Sequence, residues 1–398
     1  MQSGFCKLTD LFGYAKIYLL REIYAKIFEV NNMDNYYALA DKLWRELIII
    51  PAPSHHEDKR AKYICDTLHS WGAKDAYIDE AKNVILKIDG QLSEAVVFAA
   101  HTDIVFPDTE PIPMTEDEKN IYAPGCGDDT ASVAILMSVL KYITDSGKKP
   151  KNTLLFVFDS CEEGLGNLKG VRALMDKYGN SVREFYTFDG RYDKVGNVSV
   201  GSHRYRVTVK TEGGHSYAAF GHLNAANILA KGINAIYDIE VPKTGGKTTY
   251  NVGLISGGTS VNTIAQNAEM LCEYRSVSYE NLEYMKKRFL DIFDYMRSLG
   301  AKVEVELVGE RPCMKNVDAE KMQKITEFCV DVQKKHSGCD VTLSSSSTDC
   351  NIPHSMGIPA IHAGVYMGGG AHTREEWVEK ASIKKGVEIV KEIVKHYC

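Results

Sequence analysis

The chain runs to 398 residues, long for one core, so two domains or one domain with a large insertion is expected. Hydrophobic and charged fractions of 44% and 25% are those of an ordinary globular protein and argue against a disordered or fibrous one. A formal charge of -6, with no run of lysine or arginine, argues against a nucleic-acid partner.

Residues 1–32 are an unusual start. The stretch 8–30 is rich in Leu, Ile, Phe and Tyr, but Lys16, Arg21, Glu22 and Lys26 interrupt it. No uninterrupted run reaches the roughly 20 apolar residues that cross a bilayer, and no small-residue cleavage pattern marks a signal peptide. The segment reads as an amphipathic extension that packs on the body or on a partner. Ten cysteines are scattered without a C-x-x-C pair, which together with the missing leader pattern points to a reducing cytoplasm. Cys126 and Cys161 lie beside acidic motifs and read as small polarizable fillers.

A helical pattern covers 34–47, with Asp34 as its expected N-cap, and a second amphipathic helix covers 57–71. Residues 77–88 alternate like strands, and 95–100 form an apolar run that reads as a buried parallel strand. It ends in Ala100-His101-Thr102-Asp103. A Pro- and acid-rich stretch, 105–120, reads as a surface loop. Gly125-Cys126-Gly127-Asp128-Asp129-Thr130 then opens a strong helix over 131–142, and plain N-capping is the structural alternative for Asp128 and Asp129. A second buried strand, 153–158, runs into Asp159-Ser160-Cys161-Glu162-Glu163-Gly164. After a helix near 168–178, Phe185-Tyr186-Thr187-Phe188 ends in Asp189.

From about residue 202 the pattern changes to strand 205–210, helix 223–236, strands 249–255 and 268–275, helix 279–299 and strand 302–308. That order is the ferredoxin-like split motif, β-α-β-β-α-β. Residues 202–310 therefore read as an inserted domain, and 33–201 with 311–398 as the main one. A helix over 318–334, a short strand over 357–361, the run Gly368-Gly369-Gly370-Ala371-His372 and a terminal helix over 383–396 complete the chain.

Loops beyond the carboxyl ends of buried parallel strands are where α/β proteins place their chemistry. Five metal-binding side chains, His101, Asp128, Glu163, Asp189 and His372, fall at such strand ends or helix starts. Two nitrogen and three carboxylate ligands suit a pair of zinc ions with one carboxylate bridging; cobalt and manganese fit as well. Adjacent Glu162 and Glu163 cannot point the same way on extended backbone. One can bind metal while the other faces substrate-side water as general base. Asp103, two residues beyond His101, shares its face and can fix the imidazole.

The motifs His101-Thr102-Asp103, Gly127-Asp128-Asp129, Glu162-Glu163-Gly164 and His372-Thr373 occur in an order that is similar to one family. Over residues 34–398 the chain resembles the dizinc metallopeptidases that include peptidase T, carboxypeptidase G, aminoacylase-1 and succinyl-diaminopimelate desuccinylase. The resemblance implies a catalytic α/β domain with a mixed, largely parallel sheet and an inserted ferredoxin-like lid or dimerisation domain. It implies that His101 and Asp189 hold one metal, Glu163 and His372 the other, and that Asp128 bridges. Glu162 would be the base and Asp103 the support of His101. His215, in Gly213-Gly214-His215-Ser216, would reach substrate across a homodimer, and Asn262 and Arg311 would contact it. The chain departs from the family's usual Lys-Gly after the aspartates, carrying Thr130-Ala131-Ser132 instead. The implied activity is amide hydrolysis in short peptides, aminopeptidase- or tripeptidase-like. The alternative is an N-acyl-amino-acid deacylase or carboxypeptidase that recognises a free carboxylate. A phosphatase or nuclease would need a basic cluster for phosphate, and none stands out in the sequence.

Overall fold

The computed structural model describes residues 33–398. The extension expected over residues 1–32 lies outside the described residues. An eight-stranded sheet forms the centre, in the order Tyr77–Ile78, Val84–Ile88, Asn152–Asp159, Leu92–His101, Val182–Phe188, Ala360–Ala363, Lys194–Ser199, Thr342–Ser346. Leu92–His101 pairs in parallel with both neighbours, and Val182–Phe188 pairs in parallel with Ala360–Ala363. Antiparallel pairs lie towards the edges, so the sheet is mixed but parallel at its heart.

The central strands are apolar along their length because both faces are covered. Alternate residues point to opposite layers. Val96, Phe98, Phe156, Phe158, Tyr186 and Phe188 face a core shared with the helix over 33–48 and with Thr130–Asp145, Ala319–Ser337 and Lys380–Lys395. Val97, Ala99, Leu155, Val157 and Phe185 face the smaller layer under Lys169–Tyr178 and Asn351–Ser355. Phe98 anchors the first layer, with ring centroids 5.7 Å from both Phe156 and Tyr186 and 6.2 Å from Phe188. Parallel register sets His101 beside Asp159, so successive strands end along one edge of the sheet.

The stretch from Gly201 to Arg311 carries a separate four-stranded antiparallel sheet, ordered Thr248–Gly257, Asn267–Ser276, Gly201–Lys210, Lys302–Arg311. Helices Ala225–Tyr237 and Tyr279–Ser298 cover one face, burying Tyr205, Val207, Met270, Tyr274, Phe289 and Phe293 in a core of their own. Side-chain caps fix both helix starts, from Asn224 to the Ala226 and Asn227 N–H groups and from Ser278 to Asn281 N–H. The uncovered face carries alternating Arg and Glu, including Arg204, Arg206, Glu269, Glu273 and Arg275.

Several local expectations are corrected. Asp34 already lies inside its helix. The expected loop over 105–120 contains Thr115–Glu116 and leads into Asn120–Tyr122, which join Trp377–Glu379 and Gly368–Gly369 in a small sheet. Short pairings of this kind are recruited by distant partners and leave little periodicity to read. Asp129, at the N-cap position of Thr130–Asp145, makes no cap bond; its carboxylate accepts the His101 N–H at 3.1 Å.

Trp44 ties the first helix to the loop that carries Asp128. Its indole is fully buried and donates to the Cys126 carbonyl at 2.6 Å. Trp44→Phe keeps most of the packing but strands that buried carbonyl, which should cost about 1–3 kcal/mol. Urea unfolding reads this directly, and an unchanged midpoint would refute the tie.

Candidate metal centre

His101 ends its strand almost fully buried, at 1% exposure. Its Nε2 lies 3.1 Å from Asp128 Oδ1, and its Nδ1 lies 3.1 Å from the Asp103 carbonyl oxygen and 3.5 Å from Asp103 Oδ1. Burial alone would push the imidazole pKa down, but Asp103 and Asp128 outweigh it and raise it. The Asp103 carboxylate also reaches the second acidic stretch. Oδ1 accepts the Glu162 N–H at 2.9 Å, while Oδ2 accepts the Glu163 N–H at 3.0 Å and the Ser54 hydroxyl at 2.6 Å. Burial pushes Asp103 up, yet His101, Ser54 and the Glu163 N–H hold it below its ordinary range.

Asp128 sits between the two histidines, with Oδ1 on His101 and Oδ2 3.2 Å from His372 Nε2. Burial raises its pKa, but bonds from both imidazoles more than reverse this. His372 also lies 3.0 Å from Glu163 Oε1, and these two carboxylates lift its pKa to about 11. Asp189 follows Val182–Phe188 at the same sheet edge. Desolvation, then the nearby Asp128, pushes Asp189 up to about 8. Desolvation pushes Glu163 up to about 7, with Asp128 and Glu162 adding and His372 opposing.

His101, Asp128 and Asp189 offer donor atoms within 4.8 Å of one another, as do Asp128, Glu163 and His372. His101, Glu162 and Glu163 make a third such set, and Asp128 belongs to the first two. The imidazole and carboxylate donors are those that zinc takes, and two of the donor sets share Asp128, so the residues fit a metal pair. The structure thus brings together all five residues read from the sequence as ligands, with Glu162 and Asp103 beside them.

The two glutamates lie past the end of their strand and make different side-chain bonds. Glu163 meets His372, whereas Glu162 Oε1 accepts from Arg311 Nη1 at 3.1 Å. Arg311 also donates to the Glu162 and Ser347 carbonyls, so its guanidinium is tied to the candidate base. A cavity of about 470 Å³ opens over Asp128, Glu162, Glu163, Asp189 and His372, with Arg204, Arg275 and Arg311 in its wall. His215 and Asn262 do not line it. They lie together where Gly214–His215 pairs with Thr263–Ile264 and the Ser216 N–H meets the Asn262 carbonyl. Within one chain they do not join the cluster.

Three features escape sequence reading. The buried Glu376 carboxylate accepts the N–H groups of Gly125, Gly127 and Asp128 at 2.7, 2.9 and 2.8 Å, which pins the loop holding Asp128. Buried Arg60 donates to the carbonyls of Leu47, Ile50 and Thr102 and so clamps the His101 strand end. Arg204 and Arg275 lean on Glu273 from the open face of the four-stranded sheet. They stand on two strands, Gly201–Lys210 and Asn267–Ser276, and the pairing of those strands brings them to one face.

This layout defines a metal-dependent hydrolase of the metallopeptidase class. Residues 97–396 match the model of peptidase family M20/M25/M40, and the chain belongs to that family. The resemblance drawn from the four motifs is therefore correct at family level. An aminopeptidase PepT from Bacillus cereus superposes with a TM-score of 0.73 at 21% identity, covering 91% of this chain and 98% of that one. A tripeptidase from Staphylococcus aureus gives a TM-score of 0.74 at 23% identity over the same shares. At these identities the likeness establishes the fold. In sequence, an N-acetyldiaminopimelate deacetylase from Streptococcus thermophilus is 27% identical over 297 residues, 67% of this chain and 74% of the relative.

Carboxyl groups raised to about 7 and 8 hold protons in the metal-free protein at neutral pH, and metal competes for their ionised form. Zinc loading at pH 7 should therefore release protons, and apparent affinity should rise from pH 6 to 8. Calorimetry in buffers of different ionisation enthalpy measures the release; uptake without it would contradict this electrostatic picture.

Proposed function

We propose that the protein hydrolyses amide bonds in short peptides, as an aminopeptidase- or tripeptidase-like enzyme that uses two metal ions. One observation carries the reading: Asp128 is shared by two donor sets in a cavity that Glu162 also lines. In this reading His101 and Asp189 would hold one ion, Glu163 and His372 the other, and Asp128 would be shared by both. Zinc, cobalt or manganese suits these donors. When bound, such a pair lowers the pKa of water and polarises a carbonyl oxygen.

The chain's own groups supply the rest. Glu162 accepts a proton from the water whose oxygen attacks the amide carbon, then delivers it to the leaving nitrogen as the C–N bond breaks. Arg311 orients the Glu162 carboxylate, and Asp103 holds His101 and the Glu162–Glu163 backbone in register. His215 is exposed and in this reading serves a second copy, donating to the tetrahedral oxyanion across a homodimer built on residues 202–310. Asn262, hydrogen-bonded through its backbone to the His215 turn, would accompany it. Among the described residues no helix is long and apolar enough to cross a membrane. The scattered cysteines support a cytoplasmic setting.

A second reading, an N-acyl-amino-acid deacylase or carboxypeptidase, draws support from the arginines in the cavity wall and from the deacetylase relative. Both readings share the chemistry and differ in the substrate end that is recognised.

Glu162→Gln should keep metal content and fold while kcat drops about 10²–10⁴-fold. Activity near wild type would remove Glu162 from the proton-transfer role. The two readings separate on one tripeptide offered free, N-acetylated and C-amidated to the zinc-loaded enzyme. Resistance of the acetylated form alone supports the aminopeptidase, and resistance of the amidated form alone supports carboxylate recognition. Cleavage of none would overturn peptide hydrolysis.

A further inference from the structure

The chain crosses between the two large sheets twice. Lys194–Ser199 leaves the eight-stranded sheet and continues into the four-stranded one as Gly201–Lys210, and Lys302–Arg311 returns through Pro312. The crossings run side by side, because Ser202 pairs with Arg311. Asn351 sits where they meet, fully buried at the start of Asn351–Ser355. Its Nδ2 donates to the Val200 carbonyl at 2.9 Å and to the Pro312 carbonyl at 2.7 Å, one bond to each crossing. Its Oδ1 accepts the Thr348 N–H at 2.8 Å. All three partners are backbone groups of fixed role, so the amide has one satisfactory orientation.

The three bonds converge on Arg311. Its Nη1 donates to Glu162 Oε1 at 3.1 Å and to the Ser347 carbonyl at 2.9 Å. Pro312 follows Arg311 in the chain, and Thr348 follows Ser347. Asn351 therefore holds both the backbone from which the guanidinium springs and the backbone that receives it. A long side chain loses much rotamer freedom when it is fixed, and anchoring both ends of its span keeps it in place. The short helix that Asn351 opens has its N-cap at Cys350 and takes no side-chain cap. The amide thus serves the crossings rather than the helix.

We propose that Asn351 is a positioning residue: by tying both crossings to the Ser347–Thr348 edge of the cavity, it sets the place of Arg311 and, through Arg311, the direction of the Glu162 carboxylate. The inference rests on the amide-hydrolase reading for the role of Glu162. Ser347 and Thr348 line the cavity over the cluster, so the clamp ends within the site although Asn351 itself does not line it. Without the amide, two buried carbonyls and one buried N–H lose their partner together, and the segments that carried them must shift to find others.

The test takes Asn351→Ala and Asn351→Asp in the metal-loaded full chain, so one misfolded variant does not decide the matter. Aspartate keeps the shape and the Thr348 bond but sets an oxygen against the Val200 and Pro312 carbonyls. Each variant should lower kcat about 10–10²-fold, the loss that a displaced catalytic group brings. KM and metal content should stay nearly unchanged. Wild-type kcat in either variant overturns the proposal. The deciding measurement is the double variant with Arg311→Ala, which removes the link itself. Adding the Asn351 change to it should cost at most about twofold more in kcat. Losses that multiply would show that Asn351 acts apart from Arg311, as a merely structural residue does. The same cycle is read by urea unfolding, where the double variant should lose less stability than the two single losses added together. Additive losses there overturn the coupling without any substrate. Absence of amide hydrolysis bears instead on the amide-hydrolase reading, and the unfolding cycle still decides this one.

Discussion

Everything at this site follows from crowding acids where water is scarce. Asp128 has donor atoms of His101 and Asp189 within 4.8 Å in one set and those of Glu163 and His372 within 4.8 Å in another. Two like charges about 4 Å apart repel by roughly 4 kcal/mol even at an effective dielectric of 20. Protons relieve part of this: burial and neighbouring acids push Glu163 and Asp189 up to about 7 and 8, and the His372 ring lies against Asp128 and Glu163. One layer below, Asp159 and Asp349 are buried with unpartnered oxygens, and desolvation lifts both carboxyls, Asp159 to about 7.

Such a cluster spreads apart unless its backbone is locked, and the locks are of one kind. Carboxylates grip backbone N–H groups: Asp103 those of Glu162 and Glu163, Asp129 that of His101, and Glu376 those of Gly125, Gly127 and Asp128. Arg60 grips the carbonyls on the other side. Each lock joins segments far apart in sequence. Precision at the cluster is thus a property of the whole α/β layer rather than of any loop, and hydrogen bonds to charged groups are among the stronger ones available.

This architecture also explains what could be read in advance. Strands buried on both faces leave long apolar runs, so 95–100 and 153–158 announced themselves, and the acids at their ends could be taken as neighbours. The succession strand, helix, two strands, helix, strand over 202–310 marked the half-covered sheet. Glu376 was not legible, because its partners lie about 250 residues earlier and a buried acid looks like a surface one in sequence. Thr342–Ser346, nearly all hydroxyl residues, has no apolar signal and is a strand only through pairing with Lys194–Ser199. Arg204 and Arg275 carried no signal in the sequence, since a strand's alternation gives a residue's face but not what that face looks upon.

The uncovered face of the four-stranded sheet then acquires a reason. Partly exposed Arg–Glu pairs contribute on the order of 0–1 kcal/mol each, too little for the ladder to be explained by stability. Weak pairs are, however, easily exchanged, and Glu273 already serves two guanidinium groups. Arg204 and Arg275 divide one carboxylate between them, whereas Arg311 is committed to Glu162. The acid-rich edge of one sheet and the arginine-bearing face of the other thus meet across a single cavity.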